Sequence, residues 1–265
     1  LRGLNVGPWG VWGEPRRTGY EYNWARSGAT SATMIQQNQH VKAAQQVRDG
    51  KVTFVFIGIG ANDFSPGFNN NYQNIYNGTL SGAALQAKVN QAISDVTLAV
   101  DTVQQAGAQG VAVVLFTQWE SDPTIASRFP DATKRKRVAD AIDAVNAGLR
   151  GMAQARPNVA IVDQNAFGAA KILPYLDSAG NFAVGGEKIS LVVNGDEPHH
   201  AKLGDGSHVG TVMSGMIANY YWVDMLAGFG VNIPPLTDAE ILGAAGIRAG
   251  PTPDATRTEG PTWTP

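Results

Sequence analysis

The stretch VTFVFIGIGAND, Val52 to Asp63, decides the fold. Its first eight residues, Val52 to Ile59, are almost continuously apolar, β-branched or aromatic. That is the pattern of a strand covered on both faces, as in a parallel sheet, rather than one with a wet side. Working outward, Ser31 to Arg48 reads as one helix with Met34, Ile35, Val41 and Val47 toward one side. A polar loop rich in Asn, Gly and Tyr follows the strand, Ser65 to Gly78. Ser81 to Ala106 is a long helix, with Leu85, Val89, Ile93, Val96, Val100 and Val103 at three- and four-residue spacing. Gly107 and Gly110 end it. Val111 to Thr117 is a second buried strand, Lys134 to Ala155 a third helix and Val159 to Asp163 a third strand. Phe182 to Val193, interrupted at Gly185-Gly186, reads as a hairpin, and Val209 to Leu226 as a final helix. Strands alternating with helices predict an α/β fold around a parallel sheet, whose functional edge lies at the carboxyl ends of its strands.

Composition narrows the function classes. With 265 residues, 43% of them hydrophobic and 16% charged, the chain is long and apolar enough for a full core. A net charge of -2 offers no basic surface for nucleic acid or an acidic membrane. The chain has no cysteine, which excludes disulfides, zinc thiolates and a cysteine nucleophile. No apolar run has transmembrane length. Residues 1–248 are expected to form the domain. Within it, residues 1–22 form an ordered loop carrying Trp9, Trp12, Tyr20 and Tyr22, which with Trp24 suit an acyl- or sugar-binding wall or a packed surface loop. Residues 249–265, with four prolines among threonines, have linker composition. Such a tail suggests a longer natural protein and leans toward an exported, modular one.

Three segments carry chemistry-bearing residues. Gly60-Ala61-Asn62-Asp63 follows the first strand, where an asparagine amide can donate to a developing oxyanion and Asp63 can fix the turn through backbone amides. An ordinary turn is the alternative. Asn23 to Thr30 joins the aromatic loop to the first helix; the Gly28 N–H suits an anion there, or Ser27 or Thr30 simply caps the helix. Asp205-Gly206-Ser207-His208 puts an acid three residues before a histidine, a spacing that serves hydrolysis but also arises in metal sites or by chance. His199-His200 beside Asp196 and Glu197 has metal-ligand residue types, yet Pro198 and its polar neighbours read as a solvated loop, and no metal is expected. His40 reads as solvated among glutamines, and Lys134 to Arg137 as a charged surface.

Taken together and in order, the three segments resemble the SGNH (GDSL) hydrolase superfamily. The resemblance covers roughly Asn23 to Leu226. It implies a three-layer α/β/α, flavodoxin-like fold and a serine esterase or lipase activity. It assigns the glycine oxyanion donor to Gly28, the side-chain donor to Asn62, the acid to Asp205 and the base to His208. No cofactor is implied.

One block of that family is absent. Its Gly-Asp-Ser, on the loop after the first strand, supplies the nucleophile, and this sequence contains no Gly-Asp-Ser. Ser27, Ser31, Ser65 and Ser207 stand near the matching segments, but none at the tip of a strand, so no nucleophile is identified within the chain. The missing strand lies inside the sheet of the superfamily. Its loss would leave buried backbone groups unpaired at roughly 1–3 kcal/mol each, against a net stability of about 5–15 kcal/mol. The strand and its serine are therefore expected from a preceding N-terminal segment of the natural protein. A partner or swapped strand, or a rearranged fold, would also fill the gap. The expected substrate is a carboxylic ester or a carbohydrate acetyl ester. A non-catalytic binding module, or one part of a split esterase, is the alternative.

Overall fold

A computed structural model describes residues 21–26, 28–120, 123–204, 206 and 208–247. They fall into two compact units, the first ending at Asn165 and the second beginning at Ala166.

The first unit is the α/β layer. Its strands are β1 (Phe54–Ile57), β2 (Gly110–Val114) and β3 (Val159–Val162). They pair in the order β1-β2-β3, all parallel, with Val55 opposite Val111 and Ala112 opposite Ala160. All five residues of β2 are buried, which is what its unbroken Gly-Val-Ala-Val-Val run requires of a strand covered on both faces. The helices of this unit are α1 (Ser31–Gln36), α2 (Gln39–Arg48), α3 (Asn71–Asn77), α4 (Gly82–Gln105), α5 (Pro123–Arg128) and α6 (Ala132–Gln154). α4 and α6 pack on each other and against the strands. Val89, Val96, Val100 and Val103 of α4 and Val138, Ile142, Val145 and Leu149 of α6 form the core between them.

Two expectations need correction here. The helix predicted over Ser31 to Arg48 is two helices. The chain breaks at Gln37 and Asn38, where Asn38 takes φ 55°, a left-handed conformation that asparagine tolerates. The break resets the helical phase, so Gln39 and His40 turn inward while Val41 is 40% exposed. His40 is thus buried rather than solvated, and burial lowers its imidazole below the usual histidine value, partly offset by its bond to the Met34 backbone. The second correction is α3, inside the predicted loop. Tyr72, Ile75 and Tyr76 of α3 are buried at helical spacing, and Tyr72 and Tyr76 pack on Phe129 with ring centroids 4.7 and 5.1 Å away. The Asn-rich surroundings hid that period.

The basic run 134–137 also does more than face solvent. Arg135 donates to the Phe129 carbonyl at 2.6 Å and Arg137 to the Tyr76 carbonyl at 3.3 Å, tying α6 to the segments before it. Lys136 pairs with Asp140 one turn on, and Lys134 lies over the Tyr76 ring.

The second unit begins within α7 (Gln164–Phe167), whose end runs into a π-helical turn, Gly168–Ile172. Strands β4 (Asn181–Val184) and β5 (Glu187–Asn194) form the expected antiparallel hairpin around Gly185-Gly186, and β6 (His200–Lys202) adds to β5 in parallel. The helix predicted over Val209 to Leu226 is interrupted. α8 (Thr211–Ala218) passes through a π-helical turn, Asn219–Val223, into α9 (Asp224–Gly228). Nor is it final: α10 (Asp238–Ala244) follows, started by a capping box in which Thr237 and Glu240 satisfy each other's backbone N–H. The Thr-x-x-Glu signal for it was present in the sequence.

Candidate active site

β1 ends at Ile57, and the chain beyond it makes a tight turn, in which the Asp63 N–H donates to the Gly60 carbonyl at 3.0 Å. Gly60 has φ 104°, and a Cβ there would stand 2.1 Å from the Phe116 ring. Only glycine combines that dihedral with that approach. The turn therefore sits directly against the end of β2, and Asn62 and Asp63 are presented at the carboxyl edge of the sheet.

The segment before α1 meets this turn. Thr30 caps α1, its hydroxyl accepting from the Thr33 N–H while the Thr33 hydroxyl accepts from the Thr30 N–H at 2.7 Å. Of the two cap candidates Thr30 is the one used; Ser27 lies outside the described residues. Asn62 Nδ2 donates to the Ala29 carbonyl at 3.1 Å, which joins the two segments. Asp63 joins them again, taking the Ser31 N–H on Oδ2 at 2.9 Å and the Ser31 hydroxyl on Oδ1 at 2.7 Å. Asp63 thus fixes a different segment by its side chain, rather than its own turn.

Gly28 and Asn62 are consequently neighbours. Gly28 has φ 75°, and the exposed Phe68 ring covers it, 3.2 Å from where a Cβ would stand. Among the described residues nothing accepts from the Gly28 N–H. An asparagine amide carries two hydrogens, and one of Asn62's is committed to Ala29. The loop behind Asn62 is held by asparagines: Asn69 Nδ2 donates to the Asn62 carbonyl at 2.7 Å and Asn71 Nδ2 to the Asp63 carbonyl at 2.9 Å.

Asp63 is fully buried, and burial pushes its carboxyl above the usual carboxylate range; the bonds from Ser31 and the charge of Lys88 act against that rise. A second carboxylate completes the cluster. Asp95 of α4, 5% exposed, takes a contact from the Ser31 hydroxyl at 3.2 Å and a bond from Gln91 Nε2 at 2.7 Å. Ser31 is 1% exposed and engaged by both acids, which removes it as a nucleophile candidate. Ser65 caps its own turn, accepting from the Gly67 N–H at 3.2 Å. Sequence reasoning did not find Asp95 or the role of Ser31. The one available signal was an acid among the apolar residues on the inward face of α4.

The end of β2 is fixed by amides as well. Asn146 of α6 accepts from the Phe116 N–H at 2.8 Å and donates to its carbonyl at 3.0 Å, and Asn165 adds bonds to the Phe116 carbonyl and the Gln118 N–H.

His208 belongs to the second unit. The chain leaves β6, turns through Gly206 at φ 70°, and returns so that the Leu203 N–H donates to the His208 carbonyl at 2.8 Å and Lys202 bridges Val209. His208 is exposed on that turn. Asp205 and Ser207 lie outside the described residues, as do Trp9, Trp12 and Tyr20 of the aromatic loop. Trp24 packs against α2, its indole N–H donating to Gln46 at 2.8 Å under the ammonium of Lys42. His199 faces Glu187 at 3.4 Å, and no group of three or more His, Cys, Asp or Glu suited to a metal occurs among the described residues. Nor, among them, is any helix long and apolar enough to cross a membrane.

No curated protein matches the chain. The profile of one family, GDSL-like Lipase/Acylhydrolase, matches residues 13–181, a span that contains Gly28, the Gly60 to Asp63 turn and the whole parallel sheet. The chain belongs to the GDSL-like lipase/acylhydrolase family, an α/β enzyme of the esterase type.

Proposed function

We propose that this protein is a serine ester hydrolase that works through an acyl-enzyme, with Gly28 and Asn62 as oxyanion donors, His208 as base and Asp205 as the acid that orients it. The observation that carries the reading is the Asn62–Ala29 bond at 3.1 Å, which sets the Gly28 segment and the Asn62 amide side by side at the carboxyl edge of β1. Acyl transfer needs two or more donors converging on one oxygen, already in place before charge develops. A Gly28 N–H with no acceptor among the described residues and a second hydrogen on the Asn62 amide meet that need.

The nucleophile is a serine not identified among the described residues. Its hydroxyl attacks the acyl carbon and passes its proton to His208. The oxyanion forms between Gly28 and Asn62. His208 then returns the proton to the leaving alcohol, and a water deprotonated by His208 releases the acid. Asp205 stabilises the imidazolium formed in each half. The substrate class is a carboxylic ester or a carbohydrate acetyl ester.

The test is labelling of the natural protein with a fluorophosphonate, followed by peptide mapping. Label on one serine, lost in His208→Ala, is expected. Label that survives His208→Ala unchanged would overturn the assignment of the base. A protein that binds esters but takes no label is a binding module instead. In the labelled protein, Asn62→Ala should lower kcat for p-nitrophenyl acetate by about 10²–10³-fold, the loss that follows removal of one oxyanion donor.

A further inference from the structure

We propose that Asp95 is a positioning residue of the ester-hydrolysing site, acting through Ser31 and Asp63 on the two oxyanion donors. The proposal rests on the assignment of Gly28 and Asn62 above. Asp95 projects from the inward face of α4, between Ala92 and Val96, both essentially buried. A carboxylate there loses its hydration, and an apolar side chain would fill the same space without that penalty. Departures of this kind from the pattern of an apolar helix face are expected where a site needs them.

What Asp95 touches is the Ser31 hydroxyl, 64 residues away in the chain. That hydroxyl has one hydrogen and lies between two carboxylates, 2.7 Å from Asp63 Oδ1 and 3.2 Å from Asp95 Oδ2. Ser31 is also the first residue of α1, and its N–H is bound by Asp63. Two residues earlier stands Ala29, whose carbonyl holds the Asn62 amide, and Gly28 immediately precedes it. Asp63 adjoins Asn62. The separation of the two donors is therefore set by the Asp63–Ser31 contact, and Asp95 anchors that contact to α4, the longest helix of the unit. Gln91 holds the far oxygen of Asp95 at 2.7 Å, so the anchor is itself fixed. Catalytic donors act only within a narrow range of position, so loosening this anchor slows chemistry more than binding.

The test uses the active natural protein and p-nitrophenyl acetate, with Asp95→Ala and Asp95→Asn. An asparagine can accept from Gln91 and donate to the Ser31 hydroxyl, which then gives its hydrogen to Asp63. Asp95→Ala is expected to lower kcat on the order of 10-fold or more, with KM within about twofold, at a temperature where circular dichroism shows a folded protein. Asp95→Asn is expected to recover most of the loss. A lowered melting temperature with unchanged kcat in Asp95→Ala overturns the proposal, as does an Asp95→Asn variant no better than Asp95→Ala. If Asp95→Ala does not fold, Ser31→Ala carries the same test: the hydroxyl is lost, the N–H bond to Asp63 is kept, and unchanged kcat overturns the proposal. Asn62→Ala separates the two levels. Loss of kcat in Asn62→Ala with none in Asp95→Ala removes the role of Asp95 and leaves the oxyanion assignment. Unchanged kcat in Asn62→Ala removes both.

Discussion

Each compact unit is tied at one point by an aspartate that accepts several hydrogen bonds, and the two stand in opposite surroundings. Asp63, in the first unit, is fully buried and takes the Ser31 N–H and hydroxyl. Asp177, in the second, sits on the exposed turn before β4. Its carboxylate takes the backbone N–H groups of Ala179 and Asn181, the Asn181 amide and the Lys188 ammonium. Burial pushes the Asp63 carboxyl up, whereas bonds from the Asn181 backbone and side chain hold Asp177 down at about 2. Both are well bonded, so the number of bonds does not set the sign. What decides is whether water is lost on the way in. A carboxylate on a wet turn can be gained by bonds alone; one in the core must be compensated, and Asp63 keeps its place because two segments of the site meet on it.

The contrast can be broken most severely at the two turns. Gly60→Ala puts a Cβ 2.1 Å from the buried Phe116 ring at φ 104°, and neither side can yield. We expect a loss of about 3 kcal/mol or more in urea unfolding, from overpacking and backbone strain together. Asp63→Ala comes next. It strands the Ser31 N–H in the core and leaves the hydroxyl only Asp95, for a loss of about 1–3 kcal/mol on the same measurement. Gly180→Ala, in the Asp177 turn, is the exposed counterpart. The added Cβ meets Val192 at 2.7 Å at φ 78°, but that side chain is 65% exposed and free to turn away. The expected loss is only about 1–2 kcal/mol, mostly from the dihedral. A Gly180→Ala variant as unstable as Gly60→Ala would show that burial is not what separates the two turns.

The smallest effect is the most discriminating. Asp177 has a lowered folded pKa, so its contribution is present above the ordinary carboxylate value, 3.8, and is lost as pH falls toward about 2. Asp63 has a raised folded pKa. The folded state holds that proton more tightly than the unfolded chain, so its contribution is greatest at low pH and declines as pH rises through the raised value. Unfolding free energies measured against pH should therefore diverge in opposite senses. The advantage of wild type over Asp177→Asn should shrink as pH falls below the ordinary value. The advantage over Asp63→Asn should shrink as pH rises above it. Parallel slopes would remove the distinction between the two aspartates.

Much of the parallel sheet was legible because its signal is local. Val52 to Ile59, Val111 to Thr117 and Val159 to Asp163 are apolar runs bounded by turn residues, and each contains its strand, except that β2 opens one residue earlier, at Gly110. The hairpin at Gly185-Gly186 was readable for the same reason. Helix α3 was not, because Tyr72, Ile75 and Tyr76 declare their period only once Phe129 supplies a surface for them. The break at Asn38 was hidden too: asparagine in a helix is ordinary until the chain is seen to adopt φ 55° there.

For the site, the sequence by itself determined which residue types were available, their order along the chain, and the family to which the Gly28, Asn62 and Asp205–His208 segments point. Tertiary structure alone decided that Ala29 accepts from Asn62, that Ser31 is a buried tie rather than a nucleophile, and that Asp95, 64 residues along the chain, is in contact with it. The physical reason is range. A strand or a cap is specified by neighbours a few residues away, whereas the meaning of a buried carboxylate depends on which donor the fold delivers to it.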